Sequence, residues 1–183
     1  MIEINSVNNP TIKSLRKLEQ KKYRKKTQTY LIEGFHLVEE ALKNHENYLY
    51  ILGTSAALVK LTAHYKLKDD KVIQITDAIA EHLSSTKNSQ DIFMVLPINQ
   101  PKSFSFEYGK WVVLDNLTDP GNVGTIIRTA DAAGFDGVVL SEESVDLYNS
   151  KVQRSMQGSQ FHIQIVQNLS LIHISEPTRH SLI

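Results

Sequence analysis

Apolar residues recur along this chain at two periods, and the places where the period changes mark its elements. Ile12, Leu15 and Leu18 return at helical steps, continued by Tyr23, after an Asn9-Pro10 start signal in which Asn accepts an orphan amide hydrogen bond and Pro fits the first helical position. A strand is predicted at Thr29 to Ile32, a helix from Gly34 to Leu42, and a strand at Tyr48 to Leu52. A helix follows from Ser55 to Tyr65, then a strand at Val72 to Ile75. Thr76 caps a helix running to about Ser85, and Ile92 to Leu96 is a further apolar strand. This alternation predicts a compact α/β unit over residues 1–96. It is closed by a polar, proline-bearing linker over residues 97–110.

A second unit begins at Trp111 to Leu114, a continuous apolar run of the kind buried in a parallel sheet. A helix is predicted from Val123 to Ala133 with Gly134 as its stop, then a strand at Gly137 to Leu140. A largely helical stretch from Ser144 to Gln157 and a strand from Phe161 to Val166 complete it. Strand, helix, strand, helix, strand at these lengths is a βαβαβ unit with parallel strands.

The formal net charge is zero, which would argue against a polyanionic partner, but the distribution reverses that inference. Between Lys13 and Lys26 eight basic residues face one acid, Glu19, so an equal excess of acid lies elsewhere. Lys13, Lys17, Lys21 and Arg24 follow one another at steps of three or four on a face other than the apolar one. With Lys22 and Lys25 they form a basic stripe suited to phosphates. Cysteine is absent, which excludes a disulfide framework, a thiolate metal site and a cysteine nucleophile. The first residues lack the basic-then-apolar pattern of a secretory signal, and no apolar run approaches the roughly 18 residues of a membrane span. A cytoplasmic protein without a membrane partner is the expectation.

The chemistry is expected where ligands bind parallel sheets, beyond the carboxyl ends of the strands. Asp115 to Gly124 stands there. Pro120-Gly121 reads as a tight turn, Gly121 and Gly124 as points of close approach, and Arg128 as a guanidinium fork one turn beyond Gly124 that could clamp a phosphate. The spacing is neither the dinucleotide-binding glycine pattern nor a Walker loop. On these residues alone, a turn with a helix cap and a surface arginine is an equally good reading.

Residues 114–134, Leu-Asp-Asn-Leu-Thr-Asp-Pro-Gly-Asn-Val-Gly-Thr-Ile-Ile-Arg-Thr-Ala-Asp-Ala-Ala-Gly, resemble the first signature motif of the SpoU/TrmH family of RNA 2′-O-ribose methyltransferases. The family's Asn-x-Gly-x-x-x-Arg core falls on Asn122, Gly124 and Arg128. Lys151 to Gly158 and Phe161 to Ile165 resemble the stretch around the family's third strand. Asn8-Asn9-Pro10 and Tyr30 to Gly34 resemble its substrate-binding domain. The resemblance implies an N-terminal ribosomal-protein-like α/β RNA-binding domain, then the first half of an α/β-knot methyltransferase domain, βαβαβ and parallel. It implies methyl transfer from S-adenosylmethionine to a ribose 2′-hydroxyl, with ribosomal RNA the expected partner and a homodimer the expected state of the intact protein. It gives Arg128 the catalytic role and Asn122 a supporting one. A guanidinium stays protonated at neutral pH and is a poor general base. Arg128 is therefore read as orienting the neighbouring phosphate and stabilising the developing alkoxide. Lys151 and Arg154 are further candidates for backbone contact.

Two later family motifs, a Gly-Asn-Glu-type loop and a Ser-Leu-Asn-Val-Ser-type segment that closes a trefoil knot, have no counterpart here. Leu169 to Arg179 resembles translated adapter sequence. Residues 111–167 are thus expected to be a partial catalytic domain lacking the knot segment. Residues 168–183 are expected to be a non-native tail whose His173 and His180 hold no metal. An inactive chain with weak or no cofactor binding is the corollary. The rival readings are a non-catalytic RNA-binding module and a nucleotide-binding α/β protein.

Overall fold

The computed structural model describes residues 1–98 and 109–169. In the first unit, strands β1 (Ile2–Ile4), β2 (Thr29–Glu33), β3 (Tyr50–Gly53), β4 (Val72–Ile75) and β5 (Ile92–Pro97) form one sheet. Their order is β1-β4-β3-β5-β2. β1, β4 and β3 run parallel, and β5 is antiparallel to both β3 and β2. β1 was not expected from the sequence. Three residues with one buried side chain carry almost no periodic signal, and only pairing with β4 makes them a strand.

β5 shows why this sheet is covered on both faces. Ile92, Met94 and Leu96 enter one core, while Phe93 and Val95 enter the other. The first core is roofed by α3 (Phe35–Lys43) and α4 (Ser55–Thr62) through Leu37, Val38, Ala41, Leu58 and Leu61. The second is roofed by α1 (Pro10–Lys17) and α5 (Asp77–Leu83) through Ile12, Leu15, Ile79 and Leu83. The cap signals act as the sequence indicates. The Asn9 side chain accepts the Thr11 N–H at 2.8 Å, and the Thr76 hydroxyl accepts the Ile79 N–H at 3.4 Å.

The helix expected to continue past Lys17 instead breaks at Leu18 to Gln20 and resumes as α2 (Lys21–Thr27). Arg24 is the physical reason. Its Nη1 donates to the carbonyls of Leu18 and Glu19 at 2.6 and 2.7 Å, supplying partners for acceptors that the end of α1 leaves open.

The second unit contains β6 (Trp111–Leu114), α6 (Pro120–Ala132), β7 (Gly137–Ser141), α7 (Ser150–Met156) and β8 (Gln164–Leu169). Its strands lie in the order β6-β7-β8 and are parallel, as the βαβαβ reading requires. β6 is an edge of the described sheet and leaves Val113 48% exposed, so this run is not buried as expected. The helix expected over Ser144 to Gln157 is confined to α7. Before it, Asp146 and Asn149 accept local backbone amides (Tyr148 at 3.1 Å, Lys151 at 2.9 Å), and such bonds compete with helical ones. Gly134 ends α6 as expected, at φ +69°, with the Phe135 N–H returning to the Ala130 carbonyl at 3.0 Å.

Pro97 belongs to β5 rather than to the linker, and β8 runs two residues past Gln167 into the expected tail. The remaining expectations for the linker (99–108) and the tail (170–183, with His173 and His180) lie outside the described residues.

Candidate functional site

The turn between β6 and α6 is held from below by two buried serines. The Asn116 N–H donates to Ser141 Oγ at 2.8 Å, and the Leu117 N–H to Ser144 Oγ at 3.3 Å. The two hydroxyls lie 3.0 Å apart, and Ser144 donates to the Leu114 carbonyl at 3.2 Å, so the shared bond takes its proton from Ser141. The carboxyl ends of β6 and β7 are thereby tied together, and Asn116 adopts a left-handed backbone at φ +52°.

At the head of α6, Asp119 Oδ1 accepts the Asn122 N–H at 2.7 Å and Pro120 occupies the first turn. The helix therefore begins at Pro120, three residues before the expected Val123. Pro120, Gly121 and Gly124, expected as a structural loop, are helical residues. The role expected of Gly124 is also corrected. A Cβ there would stand 2.4 Å from Ser155 Cβ and 2.9 Å from the Val152 carbonyl oxygen, so Gly124 lets α6 press on α7 rather than admitting a ligand.

Asn122 and Arg128 are both exposed, and among the described residues neither side chain has a hydrogen-bond or ion-pair partner. Helix geometry separates them by about 9 Å along the axis and about 120° around it. They thus present an amide and a guanidinium to solvent on neighbouring faces of one helix.

Of the basic candidates, Lys13, Lys17, Lys21, Lys22 and Lys25 are exposed. Lys17 and Lys22 stand 5.5 and 4.9 Å from the centroid of the Tyr23 ring. Arg24 is a correction. It is 4% exposed, and beyond its two carbonyl acceptors its Nη2 meets Asp146 Oδ2 at 2.5 Å. A guanidinium committed in this way joins the two units and is not free to meet phosphate. Lys151 is exposed in the first turn of α7. Arg154 is half-buried, and its Nη1 donates to Ser85 Oγ at 2.6 Å, so it too belongs to the junction. Ser85 in turn donates through its N–H and its hydroxyl to Glu33 Oε2, both at 3.0 Å.

The junction contains further residues that the sequence did not reveal. Tyr148 packs against the cores of both units and lies 4.7 Å, centroid to centroid, from Tyr30. Burial pushes the Tyr148 hydroxyl up to about 12 and raises that of Tyr30 further. His162 places Nδ1 3.1 Å from Asp131 Oδ2 and Nε2 3.2 Å from Glu40 Oε2, bridging α6 and α3. A hydrogen bond from Lys43 at 2.8 Å holds the Glu40 carboxyl below its ordinary range. No local signal marks these residues, because Arg24 and Asp146, like Glu40 and His162, are 122 positions apart.

S-adenosylmethionine, implied by the resemblance, can be tested against the cavity under this turn. The described residues there enclose about 220 Å³, lined by Lys21, Lys25, Ser141, Ser144 and Gln167 among others. Pockets that bury drug-sized ligands run from about 300 Å³ upward. A cavity of that size among the described residues does not fit the whole cofactor. None of the described helices is long and apolar enough to cross a membrane.

Residues 9–94 match the model of the MRM3-like substrate binding domain, and residues 110–180 match that of the SpoU rRNA Methylase family. An rRNA methyltransferase structure from Sinorhizobium meliloti superposes with a TM-score of 0.81 at 30% identity, covering 94% of this chain and 67% of that one. The chain belongs to the SpoU family. The AdoMet-bound structure of the Sinorhizobium enzyme agrees, with a TM-score of 0.80 at 30% identity over 94% of this chain and 66% of that one. The 23S rRNA (guanosine(2553)-2'-O)-methyltransferase RlmP of Bacillus subtilis is 40% identical over 172 residues, which is 91% of this chain. This SpoU chain spans 65% of the length of RlmP.

Proposed function

We propose that the protein to which this chain belongs methylates a ribose 2′-hydroxyl in ribosomal RNA, with S-adenosylmethionine as methyl donor. The observation that carries the reading is the exposed Asn122 and Arg128 pair on the helix that opens at the carboxyl end of β6, within a chain 40% identical to a 23S rRNA 2'-O-methyltransferase. In this reading the chain's own groups act on the RNA. Arg128 holds the phosphate beside the target ribose and stabilises negative charge on the 2′-oxygen as its proton passes to solvent water. Asn122 orients the same sugar. Lys13, Lys17, Lys21, Lys22 and Lys25 draw the RNA backbone to α1 and α2, with Lys151 as an outlying contact. In the intact protein the cofactor would supply the electrophilic methyl group and would leave as the neutral thioether. The intact protein is read as a cytoplasmic homodimer.

The test is to map ribose methylation in ribosomal RNA from cells with and without the gene, by resistance of the phosphodiester to alkaline cleavage. One site lost on deletion, and restored by the gene but not by its Arg128→Ala form, is the expected result. An unchanged methylation map would overturn the reading.

A further inference from the structure

The cavity between α2 and the carboxyl ends of β7 and β8 has a composition that points to a ligand of its own. It measures about 220 Å³. A single enclosed water needs only about 10–15 Å³ of such space, so the cavity admits a group of nucleobase size. One wall is basic: Lys21 and Lys25 lie four residues apart on one face of α2, exposed, with no acidic partner among the described residues. The other wall offers Ser141, Ser144 and Gln167 as polar groups, with Val145 and Ile98 as apolar ones and Tyr148 as an aromatic edge.

Asp146 also lines the cavity, and a free carboxylate there would repel an anion. It is not free. Its Oδ2 is paired to the buried Arg24 guanidinium at 2.5 Å, and its Oδ1 accepts the Tyr148 N–H at 3.1 Å. The Arg24 and Asp146 charges offset each other, so the field inside the cleft is set by the two lysines.

We propose that this cleft binds one nucleotide of the RNA, its phosphate between Lys21 and Lys25 and its base against Val145 and Tyr148. The inference rests on the RNA-modifying reading above. Neither Asn122 nor Arg128 lines the cleft, so the nucleotide held there is not the one that reacts. The cleft is a register-setting subsite: by gripping a second nucleotide it fixes which ribose reaches α6. It spans both units, because Lys21 and Lys25 come from the first and Ser141 to Asp146 from the second, and the Arg24–Asp146 pair keeps its walls together.

The test follows amide chemical shifts of the whole chain during titration with uridine 5′-monophosphate, uridine and inorganic phosphate in parallel. Uridine 5′-monophosphate is expected to shift the amides of Lys25, Gln28, Val145 and Asp146 saturably, and to bind about tenfold more tightly than either component, because two linked groups bind together. Lys21→Met with Lys25→Met is expected to weaken uridine 5′-monophosphate about tenfold while leaving uridine unchanged, and Lys68→Met, at an exposed lysine outside the cleft, is expected to leave both affinities unchanged. Phosphate binding as tightly as the nucleotide, shifts confined to other surfaces, or indifference to the double substitution would each overturn the proposal. A salt-dependent RNA affinity is measured on the same sample. RNA binding without nucleotide binding removes the cleft and leaves the RNA-modifying reading intact, whereas absence of both counts against both.

Discussion

The guanidinium of Arg24 and the carboxylate of Asp146 meet at 2.5 Å across the junction between the first and second units, 122 residues apart in sequence. Their side chains are 5% and 13% exposed. One end of this contact fixes α2 and the other fixes the segment after β7, whose Ser144 holds the turn that opens α6. Through it, α2 with its exposed lysines is placed relative to the helix carrying Arg128.

Breaking this pair from one side leaves a buried charge without its partner. Arg24→Met or Asp146→Leu alone is expected to cost about 3–5 kcal/mol of stability, whereas the two combined cost much less. Urea denaturation of the two single variants and the double variant checks this. Additive losses would show that the two charges are not coupled.

The two glycines of the α6 head are expected to respond differently to one added methyl group. Gly124→Ala forces a Cβ to 2.4 Å from Ser155 Cβ, and overpacking of this kind costs about 1–3 kcal/mol. Gly121→Ala meets only Asp119 Oδ1 at 3.1 Å and gains helix propensity, so it is expected to be near neutral. Thermal melts of both variants decide it, and equal effects would contradict the assigned packing.

Of the seven tyrosines, Tyr30 and Tyr148 are expected to resist ionisation. Burial raises Tyr148 to about 12, so its contribution to stability is complete below the unfolded value near 10 and is lost as pH rises from there through 12. Ultraviolet titration should show a late-ionising pair, and Tyr148→Phe should lessen the loss of stability above about pH 10. Seven tyrosines titrating together in the folded protein would contradict the burial.

Glu40 carries the opposite sign. Its carboxyl is held down first by the Lys43 hydrogen bond, so its contribution is present above the unfolded value near 4.3 and is lost as pH falls through the lower folded value. Glu40→Gln is expected to flatten the acid limb of the stability curve below about pH 4, measured by denaturation at stepped pH. An unchanged acid limb would show that the carboxylate has no such role.

How much of this was legible follows the range of the interactions. Asn9, Thr76 and Gly134 act on backbone within a few residues, and each appears where its residue type indicates. Trp111–Leu114 and Val72–Ile75 are strands with the expected bounds, because short apolar runs between turns have few alternatives. The burial of Arg24 is not legible in the sequence, because a basic residue in a basic run carries no sign of it; only Asp146 decides it. The helical expectation over Ser144 to Gln157 failed for a related reason. Ser144 serves Leu114 and Leu117, about 30 residues away, and those bonds hold its segment out of a helix. Asn122 and Arg128 were identified by resemblance and are exposed, while the junction around Tyr148 and His162 is set by tertiary contacts alone.

The proposed function requires Arg128 to act on the RNA during methyl transfer to a ribose. The most direct measurement is single-turnover transfer of labelled methyl to ribosomal RNA by the intact protein and by its Arg128→Ala form, with RNA affinity measured alongside. The account predicts methyl on a ribose 2′-oxygen, a rate reduced by about 100-fold or more in the variant, and RNA affinity changed far less. Transfer that persists at the original rate without Arg128, or methyl found on a base, would contradict it.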